Sequence, residues 1–327
     1  MRAVLVCSLF ACHAFAQPTI SGCPSFPANN IWNAAVDGLP VHAESGAFIA
    51  KIGPAAGLRL DDAMPINIVP RSQPKVTVGG LTNPESDAGG YAIPPNARLE
   101  AGSDAHAIVV ERDRCILYEL YAAKLSAGNW TAASGAKWDL NSNALRTDTW
   151  TSADAAGLPI MPGLLRYEEI AAGHVDHALR FSAPYTRGGV YQWPARHFAS
   201  HHPDGPPMGL RVRLKASFDI SGYSEQLQVI LRGLKKYGAM LSDNGMPWGM
   251  QHDADPRWNA AELTTLHRVL GSNMEVVDVS GLMSDPNSGI AGPAAGMILV
   301  TDALGRPNAV KLGAGLTIVN GTLVVSH

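Results

Sequence analysis

The sequence predicts a mainly β protein: a β-sandwich of jelly-roll type with a few peripheral helices and a small C-terminal β-appendage. Three observations predict it. The 327 residues include 33 Gly and 23 Pro, which punctuate the chain into short segments joined by turns. The apolar runs between them are mostly strand-sized and rich in β-branched and aromatic residues. Only two stretches carry helical periodicity, and no alternation of strand and helix suggests parallel crossover units.

The N-terminus reads as an address. Arg2 supplies the positive end, Ala3–Phe10 the apolar run and Ala14-Phe15-Ala16 a cleavage site, so residues 1–16 are expected to be a signal peptide. A weaker alternative is lipoprotein processing at Cys12. No later stretch reaches the ~18 apolar residues needed to span a bilayer, and a secreted or periplasmic protein is expected. Cys23 and Cys115 are the cysteines left after such cleavage. In an oxidising compartment they can pair, the alternative being two separate buried thiols. Residues 17–282 are expected to form the β-rich catalytic or binding domain, 283–296 a linker and 297–327 the appendage.

Residues 24–100 read as β-rich and loop-heavy, with Ile66–Val69 and Lys75–Val78 as apolar runs. Residues 105–123 form the clearest hairpin. A two-residue Arg112-Asp113 loop would set Glu111 against Arg114 and His106 against Glu119. Further strands are expected at His177–Phe181, Gly189–Trp193, Leu210–Ala216 and Met274–Val279. Ser152–Gly157 looks like one capped turn. Ser224–Tyr237 puts Leu227, Ile230, Leu231 and Leu234 on one helical stripe that Gly238 ends. Asn259–Leu270 reads as a second helix, capped by Asn259 and stopped by Gly271. After Leu282 a Pro/Gly-rich stretch precedes short strands between glycine turns, a tail suited to surface attachment or self-association.

Net charge is -3 and 46% of residues are hydrophobic, which argues against nucleic acid as a partner. Only 16% of residues are charged, yet five of the eleven histidines fall between Arg166 and Lys215 beside arginines and carboxylates. Clustered imidazoles and carboxyls are what proton transfer or metal binding needs. No nucleophile elbow, zincin helix, Walker loop or dinucleotide fingerprint is present, so function rests on constellations.

Alternation puts Arg211, Arg213 and Lys215 on one strand face, and Asp176 with Arg180 on another. Such guanidiniums suit carboxylate-bearing ligands, the alternative being a solvated outer face. His106 beside Glu119 reads as an acid/base pair or as a satisfied polar pair at a sheet edge. Second carboxyls are available at Asp104, Asp139, Glu169, Asp176, Asp243 and Asp253, and glycoside hydrolysis commonly needs two, roughly 5–10 Å apart. A metal alternative draws on His106, His177 and His197, while His201-His202 lie in a Pro/Gly loop. Trp138, Trp193, Trp248 and Trp258 are candidates for stacking on sugar rings, one or two of them at most.

From about Cys23 to Asp278 the chain resembles a family of secreted proteins of soil and saprophytic bacteria. The resemblance is carried by strings such as N-N-I-W-N, E-S-D-A-G-G-Y-A-I-P, H-A-I-V-V-E-R-D-R-C-I-L-Y-E-L-Y, W-T-S-A-D-A-A-G-L-P-I-M-P-G-L-L-R-Y-E-E-I and P-P-M-G-L-R-V-R-L-K-A-S-F-D-I-S. Carbohydrate-binding modules on some relatives imply polysaccharide as the substrate class. The chain departs from the pattern at Ala105, where relatives tend to have Arg, and at Ala88-Gly89-Gly90, where they tend to read P-G-P.

Together these readings lead to the expectation of a secreted carbohydrate-active enzyme, with a glycoside hydrolase favoured and a uronate lyase second. Catalytic candidates are Glu119, His106, Glu169, Asp243 and His177. Substrate-binding candidates are Arg180, Arg211, Arg213, His197, Trp193 and Asp176, lining a groove. No cofactor is expected in that reading. A metal-dependent hydrolase and a non-catalytic polysaccharide- or cell-wall-binding protein are the alternatives.

Overall fold

Met64, Pro65 and Ile66 carry the chain from one sheet into another, because a proline without an N–H cannot continue a ladder. The computed structural model describes residues 17–284 and four tail strands, Met297–Thr301, Pro307–Lys311, Leu316–Val319 and Thr322–Val325. Strand exceeds helix, 27% against 18%, so the mainly β reading holds. The expected signal segment lies outside the described residues, as does 285–296 of the expected linker. The tail strands pair antiparallel, the first with the second and the third with the fourth.

Ten strands build the two main sheets. They are β1 (Arg59–Met64), β2 (Ile66–Val69), β3 (Ala107–Glu111), β4 (Ile116–Tyr121), β5 (Ser134–Asp139), β6 (Leu179–Ala183), β7 (Arg211–Leu214), β8 (Ala239–Asn244), β9 (Gly249–Asp253) and β10 (Met274–Val276). The six-stranded sheet runs β10-β7-β8-β6-β9-β1, and the four-stranded sheet β2-β3-β4-β5. A jelly roll is antiparallel throughout. Here β6/β8, β9/β1 and β2/β3 pair parallel, which departs from that pattern.

The four-stranded sheet is buried on both sides. Ile108, Val110 and Leu117 face the main core, while Ala107, Val109, Tyr118 and Leu120 face a second apolar cluster around Tyr91 and Trp130. The six-stranded sheet is buried on both faces too, since neighbours Met240 and Leu241 both enter the main core. The wholly buried segment 156–166 joins the sheets: Glu119 of β4 accepts its amides and Leu165 bridges to His252 of β9.

The hairpin register differs from expectation by two residues. The loop is four residues long, with Cys115 in the left-handed region (φ 57°), and Glu111 pairs with Ile116. Arg114 instead folds back to grip the buried Glu111 carboxylate. An even slip preserves the faces, but it sets Glu119 against Ile108 and leaves His106 beside Tyr121, ring to ring at 5.5 Å. A disulfide joins Cys23 to Cys115 across 92 residues with Cα atoms 5.3 Å apart, so it pins the N-terminal segment to this turn.

Helices α1 (Ser45–Ile52) and α2 (Tyr167–Ala172) come as additions; α1 lies inside the stretch expected to be strands and loops. The α3 helix (Glu225–Lys236) follows the expected pattern. Ser224 accepts from the Leu227 amide, and Leu227, Ile230, Leu231 and Leu234 are buried. Gly238 then turns at φ 66°, where a Cβ would lie 1.9 Å from the Val212 carbonyl oxygen, so only glycine fits. The second expected helix is shorter: α4 spans Ala260–Leu263 and tightens into a 3-10 turn over Thr264–Arg268. Thr264 and Thr265 return their hydroxyls to the Ala260 and Glu262 carbonyls, and such bonding distorts a helix. Gly189–Trp193 makes one bridge, Tyr191 to Met208, because Pro206 and Pro207 have no amide hydrogens for a ladder. Lys75–Val78 likewise contributes only the bridge of Val76 to Tyr91. Among the described residues no helix is long and apolar enough to cross a membrane.

Candidate functional site

A cleft of about 600 Å³ opens where the loop entering β3, the end of β4 and the end of β8 meet. His106, Tyr121, His197 and Asp243 line it, with Asp104, Ser134 and the segments 82–84 and 151–155.

A bulge in β8 brings Asp243 there. Phe181 pairs with Leu241, but Ser182 pairs with Asp243, so Ser242 is the extra residue. Without it, alternation would turn Asp243 to the apolar face of Phe181 and Leu241. With it, Asp243 joins the face of Arg180. Gln251 lies on the same face and accepts from Nη1 of Arg180 at 3.1 Å.

Arg180 sits beneath the cleft, 1% exposed, and its Nη2 donates to the buried Asp154 carboxylate. The Oδ2 of Asp243 approaches that same nitrogen at 3.9 Å. Two carboxyls therefore flank one guanidinium, their nearest oxygens at most about 7 Å apart if the first contact has ordinary hydrogen-bond length. The Oδ1 of Asp154 accepts from the Ala156 amide at 2.8 Å. Desolvation first, and the neighbouring Asp154 charge second, push Asp243 up to about 6, against the pull of Arg180. Burial also raises the Asp154 carboxyl, again opposed by Arg180. The Asp243 side chain is 32% exposed, so the group that titrates near neutrality is the one that reaches solvent.

The wall around Asp154 is a web of short-range hydrogen bonds. Ser152 donates to the Leu158 carbonyl at 2.6 Å and accepts from the Asp154 amide at 2.9 Å. Thr151 donates to the Asp154 carbonyl and Ser134 to that of Ser152. Small hydroxyls compete well for backbone groups in such turns. The expected capped turn at Ser152–Gly157 is thus the cleft wall.

His106 is held from both sides. Nδ1 meets the Glu100 carboxylate and Nε2 lies 3.0 Å from the Ala153 carbonyl. Both partners are acceptors, an arrangement that favours a ring carrying a proton on each nitrogen. Burial opposes that charge, but Glu100 outweighs it and raises the His106 pKa. Such a ring positions the cleft rim. His197 lines the cleft and bonds the Ala155 carbonyl through Nδ1 at 2.9 Å.

Other expected site residues lie elsewhere. Glu119 is wholly buried and accepts from the Ile160 amide at 2.9 Å, the Met161 amide at 2.8 Å and Trp138 Nε1 at 3.2 Å. It organises the segment between the sheets and does not line the cleft, so the expected Glu119/His106 pair does not form. Glu169 binds Arg166 and His177 at the start of α2. Burial raises its pKa, yet Arg166 and His177 together hold it at about 2, and a group so acidic stays ionised. Asp176 pairs with His174 at 2.7 Å.

The expected arginine groove is likewise absent. Arg211 donates to the Tyr237, Ile31 and Ala34 carbonyls, and burial lowers its pKa to about 9. Arg213 grips Glu275 and the carbonyls of Asp37 and Leu39. Both staple the N-terminal loop to β7, because a buried guanidinium must satisfy its donors. Trp248 stacks on Phe181 in the core, and Trp193 packs against it.

The metal alternative loses its set, since His177 lies apart from His106 and His197. Among the described residues no group of three or more His, Cys, Asp or Glu side chains is arranged to hold a metal ion.

Asp154, Glu100 and Tyr121 were not among the expected functional residues. Asp154 carried a faint signal, a lone carboxylate among alanines. Glu100 carried none. No family model, curated protein or solved structure matches this chain.

Proposed function

We propose that this chain is a carbohydrate-active enzyme that hydrolyses a neutral polysaccharide in the cleft, with Asp243 as the proton donor. The observation that carries the reading is a solvent-reaching carboxyl with a pKa of about 6, flanked by a buried carboxylate across a shared guanidinium. A raised carboxyl that reaches solvent, with a second carboxyl close by, is an arrangement that glycoside hydrolysis uses.

In this reading the protonated Asp243 gives its proton to the glycosidic oxygen as the bond to the anomeric carbon breaks. Asp154 and Arg180 act through Asp243, as positioning residues. Asp104, exposed on the rim of the same cleft and bonded only weakly through Oδ1 by Ser103, is the carboxylate that would activate water. The Tyr121 ring and the hydroxyls of Ser134 and Thr151 suit a sugar, which offers apolar faces and hydroxyl edges.

Hydrolysis is favoured over uronate elimination by charge. Among the described residues no lysine or arginine lines the cleft, and Arg180 beneath it is committed to Asp154. A uronate carboxylate would meet Asp104 and Asp243, while the Arg180 charge is committed to Asp154 and the His106 ring to Glu100.

Incubation with soluble neutral and uronate-bearing polysaccharides tests this reading. New reducing ends from a neutral polymer, lost in Asp243→Asn, are expected. Ultraviolet absorbance from an unsaturated uronate would replace hydrolysis with elimination. Polymer binding with no bond cleavage would make the protein a binding module.

A further inference from the structure

Behind the cleft wall lies a second concavity of about 210 Å³, lined by Lys137, Trp138, Asp139, Arg146, Thr147 and Trp150 among others. The two hollows share a partition made of 82–87 and 146–151. Thr151 faces the cleft and Trp150, its neighbour, faces the groove. Asp87 lines the groove while Asn83 and Pro84 line the cleft.

Arg146 fastens this partition. Its Nε donates to the Thr151 carbonyl at 2.6 Å, Nη1 to Asp87 at 2.6 Å and Nη2 to the Glu85 carbonyl at 2.5 Å. Glu85 in turn accepts from the Thr151 amide. The guanidinium lies 5.6 Å from both the Trp138 and the Trp150 rings, so it holds them in place through cation–π contact. Trp138 is buried as a floor, whereas Trp150 remains half-exposed. The residue before it, Thr149, adopts φ 71°. A β-branched residue in the left-handed region is strained, and such strain persists where the surroundings over-determine a functional geometry. Exposed Asp139 and Thr147 supply polar edges beside the indole.

We propose that this groove is a second sugar-binding site, in which Trp150 stacks on a ring of the neutral glycan chain whose neighbouring units occupy the cleft. The proposal rests on the hydrolase reading for the identity of the chain and adds a site that this reading does not need. A half-exposed indole gives a sugar the apolar face it stacks against. The adjoining carboxylate and hydroxyl meet the equatorial hydroxyls. The two hollows lie on either side of one thin partition, so a polymer that crosses its edge can reach both while a single sugar cannot.

Affinity electrophoresis of the full chain through gels containing hydroxyethyl cellulose, xylan, galactomannan or pullulan tests it, with tryptophan fluorescence as a second readout. Retention by one polymer, with a fluorescence change on binding, is expected for wild type. Trp150→Ala is expected to weaken retention about tenfold and remove most of the change, as loss of an aromatic stacking partner does. Trp150→Phe, which keeps a ring face, is expected to recover most of the retention. Asp243→Asn is expected to stay bound without releasing reducing ends. The site is overturned if folded Trp150→Ala is retained like wild type, if Trp150→Phe is as weak as the alanine variant, or if no polymer retards the wild type. Retention that depends on Trp150 with no bond cleavage by wild type would keep the groove and remove the hydrolase reading.

Discussion

Ser182 of β6 lies opposite Asp243 of β8, one residue out of step with the Phe181–Leu241 pair before it. That break in register, with Ser242 bulged out of the ladder, sets the Asp243 carboxyl on the face of Arg180 and away from the apolar face of Phe181. Bulges next to active sites re-aim side chains in this way. Asp243→Asn is therefore expected to lower turnover of a neutral polysaccharide by about 10²-fold or more. Reducing-end assays check this, with urea unfolding to show that the variant is folded.

The Asp243 pKa of about 6, against an ordinary 3.8, also sets a pH dependence. The native state binds the proton more tightly than the unfolded chain, so this group's contribution favours folding at low pH and is lost as pH rises from about 4 through 6. Asp243→Asn removes the loss. Relative to wild type, the variant should gain thermal stability between pH 4 and pH 7. As a proton donor the same group makes activity fall above about pH 6. A flat wild-type activity profile from pH 5 to 7.5 would contradict the assignment.

Glu169 runs the other way. Its pKa falls from 4.5 to about 2 because Arg166 and His177 outweigh burial. Stability from this group is complete above pH 4.5 and is lost as pH falls toward 2, a swing of order 3 kcal/mol. Glu169→Gln should be less stable at neutral pH, with most of the difference gone at pH 2.5. Urea midpoints at the two pH values measure it.

Glu119 is expected to matter for folding. Removing the carboxylate from the Ile160 and Met161 amides and from Trp138 leaves three buried donors unpaired, and Glu119→Ala should cost roughly 3 kcal/mol or more. Chemical denaturation reports this without any substrate.

Reduction of the Cys23–Cys115 bridge frees a loop of 92 residues' separation. The chain-entropy treatment expects a loss of about 4.6 kcal/mol. Paired unfolding curves with and without reductant, alongside Cys23→Ser/Cys115→Ser, check it.

Much of the local structure was legible before any coordinates. The α3 stripe, its Ser224 cap and its Gly238 stop are patterns of period and turn chemistry, which neighbours along the chain impose. The β3–β4 hairpin was legible as two apolar runs, but its loop length was not. Cys115 at φ 57° and the Glu111–Arg114 pair select a four-residue turn, and that choice moved His106 from Glu119 to Tyr121. The Arg211 and Arg213 stripe shows the limit of alternation as evidence. Alternation correctly placed them on one face, but only packing showed that loop carbonyls cover it.

The sequence by itself determined the β-rich class and the best-capped helix, since composition, period and turn residues act over a few positions. The tertiary structure alone decided that Asp154, Arg180 and Asp243 meet. They come from three separate segments, and a bulge and a buried ion pair bring them together. Desolvation and a neighbouring charge, which exist only in the folded chain, then give Asp243 a pKa unlike that of any free aspartate.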